Sequence, residues 1–213
     1  MGYTNFPKGV SSMGVPFPAL TKGKVFFVDL ESGEDDNSGT IVSQPLLTLT
    51  AAIAKCSSGR GDFIYVIGKG SVTSTIAITS LDNLSIIGIP NSNTPNGAQT
   101  RISNSGAHAI TITNSSKVFI DGLRLTVGGA YSGISIEGGT GCFQNVFRDL
   151  AIVVSDTTGT GISSVPGASA NSCFFENVSI RGSSVSVATA GISFPDNSKF
   201  NIYRDVYISH FAQ

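Results

Sequence analysis

A short motif recurs at a constant interval along the second half of the chain, and this repeat limits the possible folds more than any other feature. The four copies begin at residues 117, 145, 173 and 201, so each copy starts at the same distance from the one before it. They read Lys-Val-Phe-Ile-Asp, Asn-Val-Phe-Arg-Asp, Cys-Phe-Phe-Glu-Asn and Asn-Ile-Tyr-Arg-Asp. A repeat of this length, rich in β-branched and aromatic residues, is typical of a unit that stacks on copies of itself.

The repeat predicts an all-β solenoid, a parallel β-helix with one rung per repeat and about five to six rungs in total. A further strand recurs at Gly133-Ile134-Ser135, Gly161-Ile162-Ser163 and Gly191-Ile192-Ser193. Looser copies precede these motifs at residues 83–88 and 109–112. The alternative fold is a β-sandwich, which needs no fixed period. The predicted aromatic column consists of Phe119, Phe147, Phe175 and Tyr203.

Three segments of different character follow one another along the chain. Residues 1–24 are rich in proline and glycine and are predicted to form an extended N-terminal arm. Residues 25–61 contain a short strand, an acidic loop and one amphipathic helix within residues 46–56, with Thr48 or Thr50 as its N-terminal cap. Residues 62–213 are predicted to form the β-helix, with the helix before them covering its first end.

The arm is too apolar to be an idle linker. Its apolar residues show neither a helical nor a strand period, which favours a segment that docks on another molecule over one that lies on its own domain. The predicted partner-binding residues of the arm are Phe6, Pro7, Val10, Met13, Val15, Phe17 and Leu20.

The last repeat has no helix after it in this sequence, whereas open edges of stacked strands tend to pair with other chains. We therefore expect another chain to cover this edge. The predicted oligomer interface consists of Tyr207, Ile208 and Phe211.

Charge and cysteine content argue against several classes of function. The chain has 13 basic and 14 acidic residues and no basic cluster, which argues against a nucleic-acid partner. Its apolar runs are far shorter than the ~20 residues that span a bilayer, so no membrane segment is predicted. The three cysteines are widely spaced, which predicts free and mostly buried thiols rather than a disulfide framework or a metal site.

No catalytic motif is found, and we predict neither catalytic residues nor a cofactor nor a bound metal. The residues Ile120, Arg148, Glu176 and Arg204 form a column that predicts a surface ion-pair ladder, and a column of Asp121, Asp149, Asn177 and Asp205 marks turns. Glycosidases need two carboxylates about 5–9.5 Å apart. The carboxylates of Glu137, Asp149, Asp156 and Glu176 form no paired motif in the sequence. The acidic residues between Glu31 and Gly39 are interpreted as a turn, with Ca²⁺ binding as the alternative.

The segments around residues 24–70 resemble the start of pectate-lyase-like right-handed parallel β-helices. The resemblance rests on Val25–Leu30, on Gly33–Gly39, on the run from Pro45 to Ile53, and on Gly61–Ile67. It implies that the predicted solenoid is right-handed. The catalytic Asp, Lys and Arg constellation of the lyases is not found.

The opening residues Tyr3–Pro16 resemble the start of bacteriophage virion proteins that join such an arm to a β-helix. That resemblance implies a capsid decoration (cement) protein or head fibre, and more distantly a tailspike. It further implies a homotrimer, the major capsid protein as partner, and a place on the capsid surface after assembly in the host cytoplasm. The alternative is a tail-associated spike or fibre that binds, or binds and cleaves, host surface polysaccharide.

Overall fold

A computed structural model describes most of the chain beyond residue 22. The described residues are 10–12, 15–17, 23–89, 100–138, 142–156, 158–166, 168, 170–182, 190–194 and 198–209, with the backbone alone for 10–12 and 15–17. The strands are β1 (Val10–Ser12), β2 (Val15–Phe17), β3 (Val25–Asp29), β4 (Phe63–Ile67), β5 (Lys69–Val72), β6 (Ile76–Thr79), β7 (Ser85–Gly88), β8 (Thr100–Asn104), β9 (Ile110–Thr113), β10 (Phe119–Asp121), β11 (Leu123–Val127), β12 (Ser132–Glu137), β13 (Cys142–Phe143), β14 (Val146–Val154), β15 (Thr160–Ser164), β16 (Ala170–Asn171), β17 (Phe174–Gly182), β18 (Ala190–Ser193) and β19 (Ile202–Ser209), and the helix is α1 (Leu49–Ala54).

Parallel strands make up the two large sheets. One sheet has ten strands and contains β3, β4, β7, β10, β14, β17 and β19 as successive neighbours, with β11, β8 and β5 extending from the second half of β14. The other sheet has five strands in the order β18, β15, β12, β9 and β6. Within the described residues neither sheet closes on itself. The prediction of a mostly β chain with stacked parallel strands is confirmed.

The interval of the sequence repeat holds between the last three copies. Phe147 lies opposite Phe175, and Phe175 lies opposite Tyr203. Between the first two copies the strands pair at an interval that is shorter by one position, because Ile120 and not Phe119 lies opposite Phe147. The prediction that Phe119 belongs to the aromatic column is therefore wrong, and the buried Ile120 takes that place.

The shift by one position has a backbone cause. Asp149, Asn177 and Asp205 have positive φ angles of 50°, 50° and 51°, and each produces a bend within its strand. In the first copy Gly122, with φ of 69°, occupies the aligned position. Asn, Asp and Gly are the residues that adopt this left-handed conformation most readily, which explains why they form the column at the bend. Asp121 lies one position before it.

The core is a set of columns of apolar side chains running through the stack. The longest column consists of Phe26, Ile64, Ile86, Ile120, Phe147, Phe175 and Tyr203. The rings of Phe147 and Phe175 stack with centroids 5.0 Å apart, and the rings of Phe175 and Tyr203 repeat this distance. Across the core, a Cβ atom at Gly161 or Gly191 would collide with an isoleucine side chain, so these positions require glycine for close approach.

The helix α1 packs against β3, β4 and β6 near the first end of the stack, and it is shorter than the predicted segment. Leu46 precedes it and forms a bridge to Val28 of β3. Thr48 is the N-terminal cap, and its Oγ1 accepts a hydrogen bond from the Ala51 N–H at 3.1 Å. Leu49, Ala52 and Ile53 of α1 are buried in the core.

Residues 10–17 contain a short antiparallel hairpin, in which β1 pairs with β2. The sequence analysis found no strand period in this segment. Among the described strands, β1 and β2 form a sheet of their own.

Candidate functional site

The last strand, β19, exposes a row of large apolar side chains. Among the described strands it pairs only with β17, so one edge of its backbone has no strand beside it. Tyr207 is 66% exposed and Ile208 is 44% exposed. Tyr203 and Ile202 are also exposed. We call this surface the β19 edge, and it consists of Ile202, Tyr203, Arg204, Asp205, Val206, Tyr207 and Ile208.

Two of the three residues predicted for an oligomer interface lie on the β19 edge. Tyr207 and Ile208 are both there, and Phe211 lies outside the described residues. Sequence analysis missed Ile202 and Tyr203, although the alternation of the strand could have indicated that a last strand exposes both of its faces. That another chain covers the edge stays a prediction.

An ion-pair ladder runs along the outer face of the ten-stranded sheet. Arg148 Nη2 lies 2.7 Å from Asp121 Oδ2, and Arg204 Nη1 lies 3.0 Å from Glu176 Oε1. The hydrogen bond to Asp121 raises the pKa of Arg148 above its usual value. Arg148, Glu176 and Arg204 lie opposite one another in the register, as predicted, and of these three residues Glu176 and Arg204 form an ion pair, whereas Arg148 pairs with Asp121.

The first member of the ladder was predicted wrongly. The sequence analysis placed Ile120 beside Arg148, whereas Asp121 lies opposite Arg148 and Ile120 is buried in the core. The signs of the charges therefore alternate along all four strands. Gly122 was the available signal, because it replaces the Asp or Asn at the bend and moves the alignment by one position.

Aromatic rings accompany the two arginines of the ladder. The Arg148 guanidinium carbon lies 4.9 Å from the centroid of Phe119, and that of Arg204 lies 5.5 Å from the centroid of Phe174. Such cation–π contacts add about 0.5–1 kcal/mol at exposed sites. The outer face thus combines charged groups that neutralise one another with aromatic surface.

Carboxylates near the first end of the stack bind backbone groups. Asp35 accepts hydrogen bonds from the N–H groups of Leu47 and Thr48 and from Thr48 Oγ1, at 2.8 to 2.9 Å. The acidic loop is thereby tied to the start of α1. In the described part of the chain, no group of three or more His, Cys, Asp or Glu side chains is placed to hold a metal ion.

Asp62 is a buried carboxylate with several donors. It accepts hydrogen bonds from the N–H groups of Lys24 and Ser57 and from the guanidinium of Arg60. Burial by itself would raise the pKa of Asp62, but the bonds from Arg60, Ser57 and Lys24 together lower it below the ordinary value. This pairing was missed in the sequence, because Arg60-Gly61-Asp62 reads as an ordinary exposed turn.

The three cysteines are free, as expected. Burial raises the pKa of Cys56 to about 12 and that of Cys173 to about 11, and it also raises the pKa of Cys142. The thiols are protonated at neutral pH and are therefore poor nucleophiles.

An open groove of about 440 Å³ lies beside α1. Its walls include Leu30, Thr48, Thr73 and Ile76, so both apolar and hydroxyl side chains line it. The sequence did not indicate this groove, because its lining comes from the loop before α1 and from three strands of both sheets.

The predicted partner-binding arm lies mostly outside the described residues. Of its seven residues, the structure gives the backbone of Val10, Val15 and Phe17. Phe6, Pro7, Met13 and Leu20 are not among the described residues. None of the described helices is long and apolar enough to cross a membrane.

Comparisons with known proteins identify the fold alone. No protein-family model matches the chain, and no curated protein matches it. Among solved structures it is similar to a rhamnogalacturonan lyase, a pectate-lyase-like β-helix protein, with a TM-score of 0.58 and 15% identity over 87% of this chain and 51% of that one. The chain thus spans about half the length of that lyase.

Two other solved structures overlap less well. One is a pectin methylesterase from Aspergillus niger, with a TM-score of 0.32 and 15% identity over 95% of this chain and 87% of that one. The other is a lacto-N-biosidase from Eubacterium ramulus, with a TM-score of 0.26 and 11% identity over 85% of this chain and 56% of that one. On the strength of the lyase alone, the stacked parallel strands of this chain have a β-helix-like counterpart among known structures.

Proposed function

We propose that the chain is a structural protein of a bacteriophage virion that decorates the capsid through residues 1–24. The observation that carries the proposal is the hairpin of β1 and β2, which forms a sheet of its own among the described strands. The apolar composition of residues 1–24 is consistent with a segment that binds the major capsid protein. We further propose that the stacked strands coil as a right-handed parallel β-helix.

Four of the described carboxylates support a structural role. Asp35 and Asp62 tie loops together at the first end of the stack, and Asp121 and Glu176 neutralise arginines on its outer face. Each of these acids is engaged in holding the fold. Decoration requires strong attachment and no reaction, and many copies that each bury some surface on the capsid lattice bind it collectively.

The proposed assembly is a homotrimer on the capsid surface, formed in the host cytoplasm. The apolar side chains that the β19 edge exposes favour association with further copies of the chain. The proposal includes neither a nucleic-acid nor a membrane partner.

The experiment compares capsid binding of the full chain with that of a variant lacking residues 2–20. The variant is expected to keep the circular dichroism spectrum of the stacked strands and to lose binding to capsids of the source virus. A matched control is Tyr207→Ala, which leaves the arm intact and is expected to bind capsids. Unchanged binding of the deletion variant would overturn the proposal.

Copy number per particle decides where in the virion the protein lies. Quantitative proteomics of the purified virus, normalised to the major capsid protein, is expected to show on the order of hundreds of copies, as multivalent lattice attachment requires. A few copies would instead favour a place on the tail or at a vertex.

A second candidate function is binding of host surface polysaccharide by a tail-associated spike. Its support is the fold shared with a protein described as a rhamnogalacturonan lyase, together with the arginine and aromatic pairs on the outer face. The test is incubation with host envelope polysaccharide, followed by measurement of bound sugar and of released oligosaccharide. Loss of either signal in Glu176→Gln or Glu137→Gln would support this candidate.

A further inference from the structure

Along the β19 edge, the order of inward-facing and outward-facing side chains is the same whether the strand is followed forward or backward. Tyr203, Val206 and Ile208 lie opposite the buried Phe175, Val178 and Ile180 of β17, so they mark the inward side. Asn201 also points inward, because its side chain bonds Ala170 O and Cys173 N. From residue 201 to residue 208 the order is in, out, in, out, out, in, out, in.

This symmetry arises from the bend at Asp205. In a strand whose side chains alternate strictly, the inward and outward pattern is symmetric only about a residue. A two-fold axis through that residue would place it opposite its own copy, so that like side chains or like charges meet. The left-handed residue Asp205 puts two outward residues in succession, Arg204 and Asp205. The order is therefore symmetric about the bond between them.

We propose that two copies of this chain join head to head through the β19 edge, as antiparallel strands related by a two-fold axis between Arg204 and Asp205. In this register Arg204 lies opposite Asp205 of the second copy, and Asp205 lies opposite Arg204 of the second copy. Tyr203 lies opposite Val206 of the second copy, and Ile202 lies opposite Tyr207 of the second copy. Every charge meets its opposite, and Ile202, Tyr203, Val206 and Tyr207 meet apolar residues, whereas Ile208 lies opposite Asn201 of the second copy.

Backbone groups on the β19 edge fit the same register. Ile202 N–H donates to Cys173 O at 2.9 Å, so strand alternation turns the N–H of Tyr203 toward the free edge. After the bend, the aligned strand β14 shows which way each backbone N–H points. Ser155 N–H donates to Val127 O at 2.8 Å and so points toward the preceding strand, β11. Counting back by alternation, Leu150 faces the following strand, and Val206 occupies the same position two repeats later.

Tyr203 and Val206 therefore both direct their backbone groups to the free edge, and the proposed register places them opposite each other. Such a pair exchanges two N–H···O=C bonds in an antiparallel ladder. The bend itself is preserved, because the axis bisects it. The segment before the bend in one copy lies against the segment after the bend in the other.

The contact pairs copies by two-fold symmetry and so closes on itself. It leaves β3, the first strand of the ten-stranded sheet, at the opposite end of each copy. The inference rests on the β19 edge and not on the proposed function. A three-fold contact on the sides of the stack is compatible with it, and the two together give an assembly of six copies.

The test measures the mass of the full chain by light scattering coupled to gel filtration. The expected mass is that of two copies, or of six if the three-fold contact also forms. Arg204→Glu, which places an acid opposite Asp205 of the second copy, is expected to halve the mass. The double variant Arg204→Glu with Asp205→Lys reverses both charges and is expected to restore it, and Lys117 shows that lysine occupies a left-handed position in this fold.

A matched control separates the contact between copies from the ladder within one copy. Glu176→Gln removes the partner of Arg204 in the same chain and keeps both Arg204 and Asp205, so the mass is expected to stay at the wild-type value. Circular dichroism verifies that each variant is folded. An odd number of copies in the wild type would overturn the inference, as would an unchanged mass for folded Arg204→Glu or a failure of the folded double variant to restore it. The mass measurement does not depend on capsid binding, so its failure is distinguishable from failure of the arm-deletion experiment.

Discussion

The two ends of the stack differ in how far they expose the same column of side chains. At the first end Phe26 is buried, and α1 adds Leu49, Ala52 and Ile53 to the core above it. At the last end Tyr203, which belongs to the same column, is 48% exposed. The repeat thus generates the interior of the stack, whereas a helix outside the repeat is needed to finish one end.

The difference between the two ends is the basis for proposing that the β19 edge is covered by a second copy. At the first end, α1 covers the apolar side chains. The loop before it accepts hydrogen bonds from the backbone of β3 within the same chain. At the β19 edge the same kinds of groups are exposed, as at the edges where proteins add strands from other chains. The experiments below compare matched positions at the two ends, in order of decreasing expected effect.

The largest difference is expected between Phe175→Ala and Tyr203→Ala. Phe175 is fully buried between two stacked rings, so its removal should lower the free energy of unfolding by about 3–5 kcal/mol. Tyr203 has a ring on one side only, and its removal should cost clearly less. Denaturant unfolding at a protein concentration that keeps the chain monomeric measures both, and equal losses would contradict the comparison.

Asp62→Asn is expected to lower stability by about 1–3 kcal/mol at neutral pH, because buried donors lose part of their acceptor. The pKa of Asp62 is lowered in the folded state relative to its ordinary value of 3.8. Its charged form therefore stabilises the fold above that pH, and the contribution is lost as the pH falls through the lower, folded pKa.

The measurement for Asp62 is the free energy of unfolding as a function of pH. The gap between wild type and Asp62→Asn should be full near neutral pH and should narrow below pH 3.8. A gap that widens on acidification would contradict the assigned charge state.

Thr48→Ala tests the cap of α1. The variant removes the bond from Ala51 N–H to Thr48 Oγ1 and also the bond from Thr48 Oγ1 to Asp35, and loss of the cap should cost about 0.5–2 kcal/mol. Thr50→Ala is the matched control, because Thr50 is exposed within the helix and alanine has the higher helix propensity. Thermal unfolding of the two variants compares them, and an equal loss would show that Thr48 does not act as a cap.

The smallest effects are expected for the ion-pair ladder. Glu176→Gln should cost about 0.2–1 kcal/mol, and the cost should diminish in high salt. Asp121→Asn should cost more, because the Asp121 side chain is 13% exposed and that of Glu176 is 28% exposed. Chemical unfolding at low and high salt measures both, and the reverse ranking would contradict the role given to burial.

Much of the fold could be predicted from the sequence, because a repeated unit must occupy a repeated environment. The columns of Phe147, Phe175 and Tyr203 and of Arg148, Glu176 and Arg204 follow directly from the constant interval of the repeat. The first copy was misaligned by one position. Sequence similarity places Phe119 opposite Phe147, whereas the backbone places Gly122 opposite Asp149. Side-chain similarity and φ preference competed there, and the φ preference decided the register.

The candidate site was predictable only in part. Tyr207 and Ile208 were found from their place in the last repeat, because position along a stack implies position at its edge. The bonds of Asp35 to α1 and of Asp62 to Lys24 join residues 13 and 38 positions apart, and no periodicity relates them. The groove beside α1 likewise depends on how loops of unequal length return to the stack.

Hydrogen–deuterium exchange, measured as a function of protein concentration, tests most directly whether the two ends differ in this way. The account predicts that amides in residues 202–209 exchange more slowly as concentration rises, since a second copy covers the β19 edge. Amides in residues 49–54 should exchange at the same rate throughout, because α1 is already covered within the chain. Exchange at the β19 edge that does not depend on concentration, or that changes equally at both ends, would contradict it.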